Sequence, residues 1–183
     1  TYTPNENYNG QDTFTYKVND GTVDSELATV NITIEAVNDI PTVENLNIEA
    51  VEQTNKIITL SGNDLDNDDI SYIIVSLPEN GSIDDDDNLL DSNDIPFTLS
   101  SSNIIYKSTS DTATSDTFTY KVNDGTVDSE LATVTITIEA VNDTPTVEDV
   151  TSTTKVNRSV TTDFSGDDID KDDLTFSVKT EPS

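Results

Sequence analysis

The stretch DTFTYKVNDGTVDSELATV occupies residues 12–30, and the same words return at residues 116–134. The offset of 104 also carries Pro41 onto Pro145 and Ser61-Gly62 onto Ser165-Gly166, so the register never slips. Between residues 12–44 and 116–148, 31 of 33 residues are identical; Asn31 and Ile40 answer to Thr135 and Thr144. A fixed period of this kind marks a repeat architecture, and such near-identity points to tandem duplication. It divides the chain into the back part of one repeat (1–39), a complete repeat (40–143) and the front part of a third (144–183). On this reading the chain opens and closes inside repeats, so the lack of a signal peptide or anchor says nothing about a longer parent protein.

Within the repeated phrase, Phe14, Tyr16 and Val18 alternate with Thr13, Thr15 and Lys17, and Ala28, Val30, Ile32 and Ile34 alternate with Thr29, Asn31 and Thr33. A period of two in Thr, Val, Ile, Phe and Tyr specifies half-buried strands with one face on a core. No stretch has helical periodicity. In the complete repeat, seven strands are expected near 46–51, 56–60, 70–77, 81–84, within 95–106, 117–122 and 131–140. Seven short antiparallel strands in about 100 residues suit an all-β fold of tandem immunoglobulin-like Greek-key β-sandwich domains. With neither Cys nor Trp in the chain, the core must rest on aliphatic, Phe and Tyr packing. Tyr2, Tyr8, Phe14 and Tyr16 read as packing residues rather than as a sugar-stacking platform.

Composition then bounds the chemistry. Thirty-seven Asp and Glu against 8 Lys and Arg, with no His, give a net charge of -29. That charge argues against nucleic-acid partners and against direct membrane insertion, and leaves cations or neutral surfaces. Without His or Cys, nucleophilic triads and zinc sites lose their usual members. Carboxylates this abundant single out no catalytic pair, so the chain is not expected to be an enzyme.

The acidic residues have places in this scheme. EAVNDIPTV (35–43) and its copy EAVNDTPTV (139–147) end a long alternating strand, and the proline, lacking an N–H, stops the ladder. In a seven-strand walk the loops after strands two, four and six return to the end where the chain enters. These are SGNDLDNDDI (61–70), the run DDDDNLLDSND (84–94) and VNDGTVDSE (122–130). The turn NYNGQD (7–12) would lie at the base of the preceding repeat. Asp12, Asn38, Asp39, Asp64, Asp66, Asp68 and Asp124 are therefore expected to converge at one junction. Asp116, Asn142, Asp143, Asp168, Asp170 and Asp172 are expected to do so at the next. Carboxylates gathered without Lys or Arg need a cation, and hard oxygen donors in this number suit calcium, which takes six to eight. The loop is no EF-hand, since Asp69 stands where Gly is required and Val75 where Glu is. Asp84 to Asp87 read as a mobile charged loop, and NDG at 19–21 and 123–125 as a hairpin turn compatible with a ligand role for Asp124.

DLDNDDISY (64–72), VNDGTVDSELATVTITI (122–138) and AVNDTP (140–145) resemble the aspartate loop, penultimate-loop aspartate and calcium linker of the cadherin repeat. The fuller phrase TYTPNENYNGQDTFTYKVNDG (1–21) with ATVTITIEAVNDTPT (132–146) resembles the cadherin-like tandem repeats of large bacterial surface adhesins. The resemblance implies extracellular sandwich domains in a line, rigidified by calcium at their junctions. Asp64 and Asp66 match the aspartate loop, Asp124 the penultimate loop, Asn38 and Asp39 the linker, and Asp12 the acidic base turn loosely. Ala36 stands where the animal linker has its first Asp, and Ile40 leads straight to Pro41, so one or two ions per junction are expected. The function implied is that of a non-catalytic extender in a bacterial cell-surface adhesin, partnered by neighbouring repeats and, through domains elsewhere, by a cell-surface or matrix receptor. The alternative is that each repeat binds carbohydrate or another surface polymer through its acidic loops.

Overall fold

The computed structural model describes residues 1–180, which fall in two compact units, Thr1–Asp39 and the described residues from Ile40 onward. The first unit is built on an antiparallel hairpin of β1 (Gly10–Tyr16) and β2 (Ala28–Ile34), with Phe14 opposite Val30 and Asp12 opposite Ile32. Its apolar side chains have little cover: Phe14 and Tyr16 are each 48% exposed.

The second unit begins with β3 (Thr42–Val43), β4 (Leu46–Val51), β5 (Asn55–Thr59) and β6 (Gly62–Asn63), followed by β7 (Ser71–Ser76), β8 (Gly81–Asp85) and β9 (Asn88–Leu89). β10 (Phe97–Thr98), β11 (Asn103–Ser108), β12 (Ser115–Asn123) and β13 (Ala132–Glu139) complete the sandwich, and β14 (Thr146–Val147) and β15 (Gly166–Asp167) open the third repeat. One sheet has the order β10-β7-β12-β13-β4 and the other β5-β11-β8-β9. Alternate residues of both sheets share one core, including Ile74, Phe118, Tyr120, Val134 and Ile136 from the first and Ile58, Ile83, Ile104 and Tyr106 from the second. Seven of these strands fall where the alternation put them. Their pairing is not antiparallel throughout, however, because β4 lies parallel to β13, Leu46 beside Val134 and Val51 beside Glu139. Splitting the strands between two sheets brings the first strand against the last, and the two run the same way.

Phe118, Tyr120 and Val122, the copies of Phe14, Tyr16 and Val18, are wholly buried. Identical sequence therefore gives the same hairpin in both units, while burial is set by the strands around it. The two repeat starts also share a clasp. Thr42 pairs with Asn63 and, one period on, Thr146 with Asp167; in each case the threonine hydroxyl donates to the opposite carbonyl, at 3.1 and 3.2 Å. Gly166 eases the close approach there, since a Cβ would stand 3.0 Å from the Thr146 carbonyl oxygen.

The Asp84 to Asp87 run, expected as a mobile loop, is a tight hairpin between β8 and β9. Asp86 and Asp87 take φ of 53° and 66°, the two positive values a two-residue primed turn requires and that Asp tolerates. Asp85 is buried and accepts from the Ser100 N–H and hydroxyl at 2.9 and 2.8 Å.

Candidate metal centre

In the second unit the inward register of β4 runs Leu46, Ile48, Ala50 and continues past the strand end to Glu52, which is 2% exposed. Its N–H donates to the Glu139 carbonyl at 3.0 Å, and its Oε1 accepts from the Val141 N–H at 2.6 Å. This ties the base of the complete repeat to the segment leading out of it. Two residues on, the Asp143 N–H donates to Asp170 Oδ2 at 2.6 Å, so the same segment also grips the aspartate loop of the third repeat. Carboxylate oxygens of Glu52, Asp143 and Asp170 lie within 4.8 Å of one another. Glu52 Oε2 and Asp143 Oδ2 are buried with no hydrogen-bond partner.

Burial raises the pKa of Asp143 above the ordinary carboxylate value, and the charges of Asp111, Asp170, Glu52 and Asp168 add to the effect. Five carboxylates thus gather from three places: the base of the complete repeat (Glu52, Asp111), the linker (Asp143) and the third repeat (Asp168, Asp170). The ion pairs among the described residues, Lys17 with Asp24 and Lys121 with Asp128, lie elsewhere. Asp111 is steadied by the Gln53 amide, 2.5 Å away. Asp168, 9% exposed, accepts at Oδ1 from the Asp172 N–H at 3.2 Å, which closes the aspartate loop on itself.

One period earlier, Asp64 is 8% exposed, and its Oδ1 accepts from the N–H groups of Asp66 and Asp68 at 2.9 and 3.1 Å. Its Oδ2 is buried without a partner, and Asp64, Asp66 and Asp68 present oxygens within 4.8 Å of one another. The pKa of Asp68 is raised by burial, then by Asp64, Asp66, Asp124 and Asp69. The loops after the second and sixth strands therefore meet, with Asp124 beside the aspartate loop. Asp124 itself is 8% exposed and accepts at Oδ1 from the Thr126 and Val127 N–H groups at 2.6 and 2.7 Å, holding the NDG turn.

The remaining expected ligands stand in other surroundings. Asp116 belongs to the inward register of β12 with Phe118 and Tyr120, and is 5% exposed. Its carboxylate accepts from the N–H groups of Glu79, Asn80 and Thr117 at 3.0, 3.0 and 2.8 Å and from the Tyr106 hydroxyl at 3.1 Å. Asp12, its copy in the first unit, accepts from the Tyr2 hydroxyl at 2.6 Å and the Thr13 N–H at 2.7 Å. Asn142 and Asn38 make the same local bond, each donating from Nδ2 to the next carbonyl, of Asp143 and Asp39, at 2.8 Å. Glu52 and Asp111 had not been singled out from the sequence. Both follow odd-numbered strands of the seven, at the pole opposite the even loops. An acidic residue continuing the inward register of a strand was the available signal for Glu52.

Residues 41–138 match the cadherin-like family, and residues 1–35 match a second description, the cadherin-like domain. The chain belongs to the cadherin-like family. Domains of this family generally bind calcium, and a set of hard oxygen donors with unpartnered buried oxygens fits that ion. Over 129 residues, or 64% of its length, the cadherin-like chain is 31% identical to an integrin beta-like protein A of Dictyostelium discoideum, of which it spans 7%. Among solved structures, it overlaps protocadherin gamma B2 extracellular cadherin domains 3-6 with 14% identity and a TM-score of 0.45, covering 69% of this chain and 31% of that one. It also overlaps an endo-fucoidan hydrolase of glycoside hydrolase family 107, with 20% identity and a TM-score of 0.41, covering 73% and 19%.

Proposed function

We propose that this chain is a run of non-catalytic extender repeats in an extracellular adhesion protein of the bacterial surface kind, with calcium locking successive repeats. The ion would be held after the complete repeat by Glu52, Asp143 and Asp170, with Asp111 and Asp168 beside them. The aspartate loop of Asp64, Asp66 and Asp68, with Asp124 alongside, would serve the start of the same repeat. Calcium would supply charge neutralisation, its oxygens being drawn from these carboxylates and from water. The protein supplies the placement. The Val141 and Asp143 N–H groups orient two of the carboxylates, and Glu52 is held in a buried position.

The observation that carries this reading is the pair of orphaned oxygens, Glu52 Oε2 and Asp143 Oδ2, one from the repeat base and one from the linker. A buried acceptor without a donor costs about 1–3 kcal/mol, so the arrangement is costly unless a cation is present. Neighbouring repeats are then the direct partners, and any receptor would be met by domains elsewhere. The test is a calcium titration of the whole chain by calorimetry, with small-angle scattering and magnesium as control. Saturable binding that raises the melting temperature and stiffens the profile is the expected result. Equal effects of calcium and magnesium, or no effect of either, would refute it.

A further inference from the structure

Before and after the complete repeat, the chain carries two preformed halves of the same sandwich. Residues 144–180 are a front half. They hold the Thr146–Asp167 clasp and a turn in which the Arg158 N–H donates to the Lys155 carbonyl at 3.0 Å, as Thr54 does to Val51 at 3.3 Å. Their aspartate loop repeats at Lys171 the positive φ of Asn67. The first unit is a back half, with the β1–β2 hairpin and an Asn19–Asp24 bridge that answers to Asn123–Asp128.

Each half leaves uncovered the side chains that the complete repeat buries. Phe14, Tyr16 and Val18 are exposed where Phe118, Tyr120 and Val122 are wholly buried. Phe164 and Val178 are 61% and 64% exposed, where Leu60 and Ile74 are 2% and 0%. Phe176, at the position of Tyr72, is exposed and stacks on Phe164 with ring centroids 6.3 Å apart.

The complete repeat itself shows what covers such faces. There β7 flanks β12, with Tyr120 beside Ile74 and Val122 beside Tyr72, and β4 flanks β13, with Val134 beside Leu46. Shifted by the repeat period, the same register sets Tyr16 beside Val178, Val18 beside Phe176 and Val30 beside Val150. It also sets Glu35 beside Lys155, an opposite-charge pair where the complete repeat has Glu139 beside Val51. Lys155, Arg158, Lys171 and Lys179 are four of the 8 Lys and Arg in the chain, so the front half is its most basic part and the hairpin is acidic.

We propose that residues 144–180 of one chain dock on the β1–β2 hairpin of a second copy, adding a strand to each side of it in the register of the complete repeat. Residues 12–30 are those of 116–134 letter for letter, so nothing in the hairpin discriminates between its own front half and another chain's. The contact joins two different surfaces, so it is heterologous and grows head to tail. The composite has no counterpart of residues 80–104, so it completes one sheet only. It belongs with weak, concentration-dependent contacts of under about 1,200 Å².

The test is analytical ultracentrifugation of the whole chain from about 10 μM to about 1 mM. Chelator removes any part played by calcium, and about 0.15 M salt screens repulsion between acidic chains beyond about 8 Å. The average mass should rise with concentration past that of a dimer. Tyr16→Asp and Val178→Asp should each stay monomeric alone and, mixed in equal amounts, give a dimer that grows no further. One variant then supplies the front half and the other the hairpin, so neither needs the face it has lost. Glu35→Lys should weaken association, and Lys155→Glu in the same chain should restore it. A parent chain that is monomeric at about 1 mM, a single variant that associates like the parent, or a mixture that stays monomeric would overturn the proposal.

Discussion

Glu52→Gln should raise stability in chelator and lose most of that advantage in calcium. In chelator, glutamine keeps the oxygen that accepts from the Val141 N–H, replaces the partnerless Oε2 with an amide donor, and removes one of three carboxylates packed within 4.8 Å. Two unit charges at that spacing repel by about 3 kcal/mol at an effective dielectric of about 20, and proton sharing and solvent reduce this. A gain of about 1–2 kcal/mol is expected, against the general rule that substitution of a buried residue destabilises. In calcium this advantage shrinks or disappears. For a dissociation constant of about 0.1–1 mM, typical of extracellular modules, 2 mM calcium stabilises the parent by about 0.6–1.8 kcal/mol, and the variant forfeits that gain. Urea unfolding at fixed calcium and in chelator measures both arms. A variant less stable than the parent in chelator, or one with an undiminished calcium response, would refute the assignment of Glu52 to a cation site.

Phe118→Ala should cost about 3–5 kcal/mol, as for a fully buried aromatic, whereas Phe14→Ala, at the matching position but 48% exposed, should cost less than about 1; paired chemical denaturation decides it. Gly81→Ala should destabilise by several kcal/mol, on the order of an overpacked core, because its Cβ would fall 2.3 Å from the Tyr106 ring; a melting temperature within a degree or so of the parent would contradict the packing described. Asp128 is held below the ordinary carboxylate pKa by the Lys121 ammonium and then by the Asn123 amide, so it contributes stability above the unfolded value of about 3.9 that is lost as pH falls through the lower folded value. Asp128→Asn should therefore flatten the stability profile below about pH 4, which acid titration followed by circular dichroism would reveal. Asp143 runs the other way: its raised pKa means the apo chain binds its proton more tightly than the unfolded chain does, and calcium uptake at mildly acidic pH should release protons, seen as buffer-dependent binding heats.

Most of the sandwich was legible because strand and core are written in the same alternation. Phe14 and Phe118 show the limit of that legibility. The pattern says which face is apolar, and only the neighbouring strands say whether it is covered. The parallel β4–β13 pairing was not readable from either strand, since it arises from how the sheets divide. Strand parity brought Asp68 and Asp124 together, as the effect of Asp124 on Asp68 records. Applied equally to the odd loops, it would have drawn attention to Glu52 and Asp111. Asp116 illustrates why an acidic residue near a turn is a poor guide to a ligand. Its place in the inward register of β12 turns the carboxylate toward Tyr106 and the 79–80 backbone, where protein donors surround it.

The parallel contact of the first and last long strands has a mechanical meaning. A chain pulled by its ends draws the start of β4 one way and the end of β13 the other, and because the strands run in the same direction these two points lie at opposite poles of the ladder. The load then falls along the strands, across the registered pairs from Leu46–Val134 to Val51–Glu139 together, rather than opening them one after another. Tension is resisted in shear by bonds that must fail nearly at once, so the complete repeat is built to yield at a high force and over a short extension.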